Sequence, residues 1–74
     1  MQEYEVMYHK IISANIKRLR KAAKLSQENL AEKLGCSREF ISRVENNRER
    51  VSLRMLLHLS KIFDNSPKVF FEKL

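Results

Sequence analysis

Ser26 and Ser37 bracket the chain's only glycine, Gly35. A serine hydroxyl accepts from a backbone N–H of the following turn and so opens helices. Glycine takes the left-handed conformation without a Cβ penalty and so closes them. These three residues predict a short helix over 27–34, a tight turn at 35–37, and a second short helix from Arg38 to about Asn46. Leu30, Ala31 and Leu34 share one side of the first, while Phe40, Ile41 and Val44 share one side of the second. Neither is long enough to hold itself together in water, so both must pack against other elements.

The remaining boundaries are written in the same chemistry. Ile12, Ile16, Leu19 and Ala23 form one apolar stripe at helical spacing, predicting a first helix from Met7 to Ala23. Asn46-Asn47 tolerates positive φ and ends the third helix, and a basic loop, 48–51, follows. Ser52 caps a fourth helix, Leu53 to Phe63; Asp64-Asn65 turns the chain; Ser66-Pro67 places a cap and an N1 proline before a fifth. No segment alternates with period two for long enough to argue a strand, so the expected fold is an all-α, five-helix bundle in one domain, 1–74. Helices two and three, joined by a turn containing glycine, make a helix-turn-helix over about 26–46.

A chain of 74 residues has no room for a second folding unit, and it buries only about 60% of the surface that its unfolded form exposes. Cys36 is the only cysteine, so no internal disulfide can staple it, and a reducing cytoplasm is the expected setting. A partner subunit is the expected aid. Apolar runs of three or four residues predict no membrane span, and no basic segment precedes an apolar stretch at the start.

The net charge of +6 is concentrated between residues 17 and 54, where eleven basic groups face five glutamates. The flanking segments are nearly neutral. Basic charge of this density suits a polyanion, because neutralised phosphates release counterions. On the third helix, at about 100° per residue, Arg38, Ser42, Asn46, Glu39 and Arg43 share one arc, opposite Phe40, Ile41 and Val44. These are side chains that read base edges: Arg forks onto guanine, Glu accepts from cytosine, Ser pairs with several partners.

The run from Leu25 to Arg48, LSQENLAEKLGCSREFISRVENNR, resembles the phage repressor and Cro-type helix-turn-helix family. The resemblance extends from Ile12 to Phe71 and implies a lambda-repressor-like, sequence-specific regulator of transcription that binds double-stranded DNA with its third helix in the major groove. It implies base-facing roles for Arg38, Glu39, Ser42 and Arg43. Phe40 stands at the rim, where a thymine methyl and plain core packing are equal alternatives. It implies backbone phosphate contacts for Gln27, Ser37, Asn46, Asn47 and Arg48. It also implies a partly buried ion pair between Arg20 and Glu45 that orients the third helix. Three positions depart from the family's pattern: Asn47 and Asp64 stand where glycine is usual, and Val51 where proline is usual. Residues 1–9 have no counterpart in the motif.

The fourth and fifth helices hold more apolar area than one small core can cover. Leu53, Leu56, Leu57 and Phe63 are assigned to the core. Met55, Leu59, Ile62, Val69, Phe70 and Leu74 are expected to form a homodimer interface within 53–74, placing two recognition helices on a pseudo-palindromic operator. The Val69-Phe-Phe-Glu ending and the small size resemble controller proteins of restriction-modification systems, with phage or mobile-element repressors as an equal alternative. Such a regulator blocks RNA polymerase or recruits it. His9, His58 and Cys36 stand apart, with no partners at ligand or triad spacing, so no enzyme, metal, cofactor or small-molecule ligand is expected. The competing class is a protein-binding module, such as an antitoxin-like partner using helices four and five.

Overall fold

The computed structural model describes residues 3–74. It consists of α1 (Glu3–Ala22), α2 (Gln27–Leu34), α3 (Arg38–Glu45), α4 (Leu53–Ile62) and a short 3-10 segment (Pro67–Phe71). No strand occurs among the described residues, and no helix in them is long and apolar enough to cross a membrane. The expected fifth helix is corrected to that single 3-10 segment. Its cause lies on α1: the fully buried Asn15 donates through Nδ2 to the carbonyls of Phe70 (3.0 Å) and Glu72 (2.8 Å). Those carbonyls are taken, and the chain runs extended from Glu72.

The caps sit where the serines are. Ser26, Ser37 and Ser52 each accept from the backbone N–H three residues on, at 2.9–3.1 Å. Gly35 closes α2 at φ 76°. Asn47 and Asp64, in place of the family's glycines, also adopt left-handed backbone, with φ 60° and 54°. A short polar side chain tolerates this conformation best after glycine. Ala23 lies beyond the end of α1 and is exposed, which removes it from the expected stripe. At its other end α1 is already helical at Glu3, four residues before the expected start at Met7. Glu3 and Glu5 complement the helix dipole there, and Tyr8 packs on Phe71 with ring centroids 6.2 Å apart.

Ile12, Ile16 and Leu19 of α1 meet Leu30, Ala31 and Leu34 of α2, Ile41 and Val44 of α3, Leu56 and Leu59 of α4, and Val69 and Phe70. Phe70 is fully buried, which contributes on the order of 2–3 kcal/mol. On α4 the core-facing arc is Leu56, Leu59 and Ser60. Leu53 and Leu57, assigned to the core from the sequence, are instead 70% and 47% exposed. Ser60 takes the inward place because its hydroxyl donates to the Leu57 carbonyl at 2.8 Å, leaving no unpaired polar group.

Candidate nucleic-acid interface

Helix α3 is held at both flanks. On its inner side Arg20 and Glu45 form a two-pronged pair, Nε to Oε2 at 2.6 Å and Nη2 to Oε1 at 3.1 Å, with the side chains 10% and 2% exposed. The remaining Nη1 of Arg20 donates to the Leu25 carbonyl at 2.8 Å. The buried pair thus ties the ends of α1 and α3 together, and Arg20 ties both to the turn before α2. A pair buried this deeply contributes little net stability, but it leaves α3 little freedom to roll.

The network continues outward. Gln27 Nε2 donates to Glu45 Oε1 at 3.0 Å, and Gln27 Oε1 accepts from Arg38 Nη1 at 3.5 Å. Its amide has only one consistent orientation: a carboxylate only accepts and a guanidinium only donates. Gln27 therefore links the buried pair to the first turn of α3. Sequence periodicity carries no signal for this link, since Gln27 and Glu45 are eighteen residues apart.

The exposed face of α3 presents Arg38, Glu39 and Arg43, with Ser42 half-buried beside them. Arg38 lies 3.8 Å from Glu39, and Arg43 Nε lies 3.4 Å from Glu49 Oε1. The Glu49 contact was not foreseen, because it spans the end of the helix and obeys no helical spacing. Phe40 is half-buried against the core, with the Arg43 guanidinium 6.0 Å from its ring centroid.

The residues expected on phosphates surround this face. Ser37 and Gln27 stand at the starts of α3 and α2, where free backbone N–H groups favour anions. Asn46 ends α3, its Nδ2 3.4 Å from Ser42 Oγ. Asn47 Oδ1 accepts from the buried Ser13 at 3.4 Å, and the Arg48 N–H donates to the Arg43 carbonyl at 2.8 Å with its side chain exposed. Arg50 is turned away, 3.2 Å from Glu5.

Most of the residues expected to face a second copy are used up inside one chain. Leu59, Val69 and Phe70 are 1%, 8% and 0% exposed within one copy of the chain, and Met55 and Ile62 pack against the same core. They face inward because the 3-10 segment docks over the α4 side that carries Leu59. Of the residues expected to face a partner, Leu74 remains open, at 74% exposed. Cys36 is half-buried in the turn between α2 and α3, and burial pushes its thiol above the ordinary range.

Two short helices joined by a turn at Gly35, the second locked by a buried pair and presenting arginines, define a DNA-binding helix-turn-helix domain. The chain belongs to the helix-turn-helix family HTH_3, whose model matches residues 16–70. Among solved structures it is similar to the restriction-modification controller protein C.AhdI from Aeromonas hydrophila. The two are 30% identical, the match covers 95% of this chain and 100% of the other, and the TM-score is 0.83. A point mutant of the restriction-modification controller protein C.Esp1396I is 31% identical over 96% of this chain and 86% of its own, with a TM-score of 0.77. An HTH_3 family transcriptional regulator from Vibrio cholerae is 26% identical over 89% of this chain and 37% of its own, with a TM-score of 0.80. No match was found among curated protein sequences.

Proposed function

We propose that this chain is a sequence-specific regulator of transcription that binds a pseudo-palindromic operator as a homodimer. The observation that carries this is the exposed, polar face of α3, presenting Arg38, Glu39, Ser42 and Arg43 on a helix locked by the Arg20–Glu45 pair. In this reading Arg38 and Arg43 exchange their carboxylate neighbours for base edges in the major groove. Gln27, Ser37, Asn46, Asn47 and Arg48 hold the backbone on either side. Leu53 and Leu57 on α4, with Phe71 and Leu74, supply exposed apolar surface for a second copy. The likeness to two controller proteins over nearly the whole chain supports control of a restriction-modification gene set over a phage-repressor role.

Selection from random duplex DNA at about 150 mM salt tests the reading. The expected result is a two-fold motif with half-sites about one helical turn, roughly 34 Å, apart. No enriched motif, with binding that vanishes as salt rises, would leave only nonspecific charge and transfer the function to a protein partner.

A further inference from the structure

Helix α1 carries a charged face that the recognition surface does not use. Between Glu5 and Glu28 the chain has no acidic residue but holds Lys10, Lys17, Arg18, Arg20, Lys21 and Lys24. Arg20 is neutralised by Glu45, and Arg18 donates to the side-chain oxygen Oδ1 of Asn15 at 3.0–3.2 Å. Lys10, Lys17, Lys21 and Lys24 are exposed, and none of them pairs with an acid among the described residues. Three arginines outside α1 do meet acids, Arg38 with Glu39, Arg43 with Glu49 and Arg50 with Glu5, while other cations unpaired among the described residues, such as Lys33, Arg54 and Lys61, lie on other elements.

Lys10, Ala14, Lys17 and Lys21 share one side of α1 at helical spacing, a strip on the order of 16 Å long. Like charges four residues apart oppose helix formation, so the Lys17–Lys21 step costs the free protein stability. The strip is also well placed. Leu25 N–H bonds to the Arg20 carbonyl at 3.1 Å and Arg20 reaches back to the Leu25 carbonyl, folding the end of α1 onto the start of α2. Gln27, at that start, in turn reaches Arg38 at the head of α3. A duplex that seats α3 in its groove brings its backbone to the start of α2, and the cations met going back along the chain from that start are Lys24, Lys21 and Lys17.

We propose that Lys17, Lys21 and Lys24 bind the phosphate backbone of duplex DNA beyond the operator half-site, lengthening the footprint without adding sequence preference. The proposal rests on the recognition role of α3 given above, and its test keeps the two apart. The triple variant Lys17→Ala/Lys21→Ala/Lys24→Ala is compared with the parent protein on two duplexes: the selected operator alone, and the operator with about ten more base pairs on each side, one helical turn. Circular dichroism checks that the variant keeps its helix content.

On the long duplex the variant should bind about tenfold more weakly, and its log affinity against log salt should flatten by about 2–3 per protomer. On the short duplex it should stay within about twofold, since the phosphates it would contact are missing. Unchanged affinity and salt slope on the long duplex overturn the proposal and leave these lysines to solvent or to an acidic protein. So do equal losses on both lengths. Arg38→Ala, run in parallel, should lose preference for the operator over random sequence while keeping the gain from added length. If the parent shows no sequence preference at all, the α3 reading fails separately, and the same flattening on a long random duplex still decides the role of the lysines.

Discussion

Arg38 and Arg43 are already paired with carboxylates in the free protein, at 3.8 and 3.4 Å, whereas no acid stands beside the exposed Arg48 among the described residues. Exposed pairs of this kind are worth little, so a base edge that accepts two hydrogen bonds displaces them readily. Arg38→Ala should therefore cost about 1–3 kcal/mol on the operator and relax one base preference. Arg48→Ala should weaken all sequences alike and lower the salt slope by about one. Equal losses on operator and random DNA for Arg38→Ala, measured by fluorescence anisotropy, would count against its base-reading role.

Glu45 poses a different residue-scale question, since its side chain is 2% exposed and serves Arg20 and Gln27 together. Glu45→Ala strands a buried guanidinium and should destabilise the fold by about 3–5 kcal/mol, whereas Arg20→Met/Glu45→Met should be close to neutral in stability. Urea denaturation distinguishes these outcomes. If orientation of α3 is the pair's contribution, the stable double variant should still lose operator affinity. Cys36 adds a pH dependence. Burial raises its pKa in the folded state, so the unfolded chain releases its proton first. The stability Cys36 contributes is complete below the unfolded thiol value, roughly pH 8.5, and is lost as pH rises through the folded value. As pH rises above the unfolded thiol value, the parent should weaken more than Cys36→Ala does in paired urea titrations.

At the scale of elements, legibility followed the chemistry of the backbone. The starts of α2, α3, α4 and the 3-10 segment are readable because a serine, or a serine followed by proline, marks each, and α2 ends at Gly35 as that residue's conformational freedom requires; α1 has no such marker, and its apolar stripe alone puts its start at Met7 where the helix already runs from Glu3. What could not be read was the choice between two apolar sides of α4, both of which satisfy helical spacing. The core took Leu56 and Leu59, with Ser60 tolerated beside them because its hydroxyl is satisfied within the helix, and Leu53 and Leu57 lie outside. The 3-10 geometry of the last segment was equally hidden, since it depends on Asn15, more than fifty residues away. In the recognition face, the side-chain types were visible from spacing, but the links to Gln27 and Glu49 required the tertiary fold. The turn after α3 provides a direct test. Asn47 sits at φ 60° and accepts from the buried Ser13; both Asn47→Gly and Asn47→Ala lose that acceptor, so the left-handed backbone shows as Asn47→Ala being less stable than Asn47→Gly by about 1 kcal/mol in thermal unfolding.

For the whole molecule, a half-site contacted by one short helix gives limited affinity, and a two-fold partner converts the second contact into an effectively intramolecular one. The small core sharpens that need, as a domain of this size has roughly 4–11 kcal/mol of total stability at best. The surface available for pairing is Leu53 and Leu57 on α4, 70% and 47% exposed, with Leu74 at 74%. Leu59 lies in the same helix but is 1% exposed, inside one copy. Charge placed at these two kinds of position should act differently. Leu53→Glu/Leu57→Glu should leave thermal unfolding of the single chain intact, halve the sedimentation mass and reduce operator affinity at least tenfold, because the two half-sites would bind independently. Leu59→Glu should instead unfold the chain, since a carboxylate cannot be carried into that core unpaired. A double variant that still sediments as a dimer would move the interface off α4, to Phe71 and Leu74 at the chain's end. The operator's half-site spacing would then follow from that geometry instead.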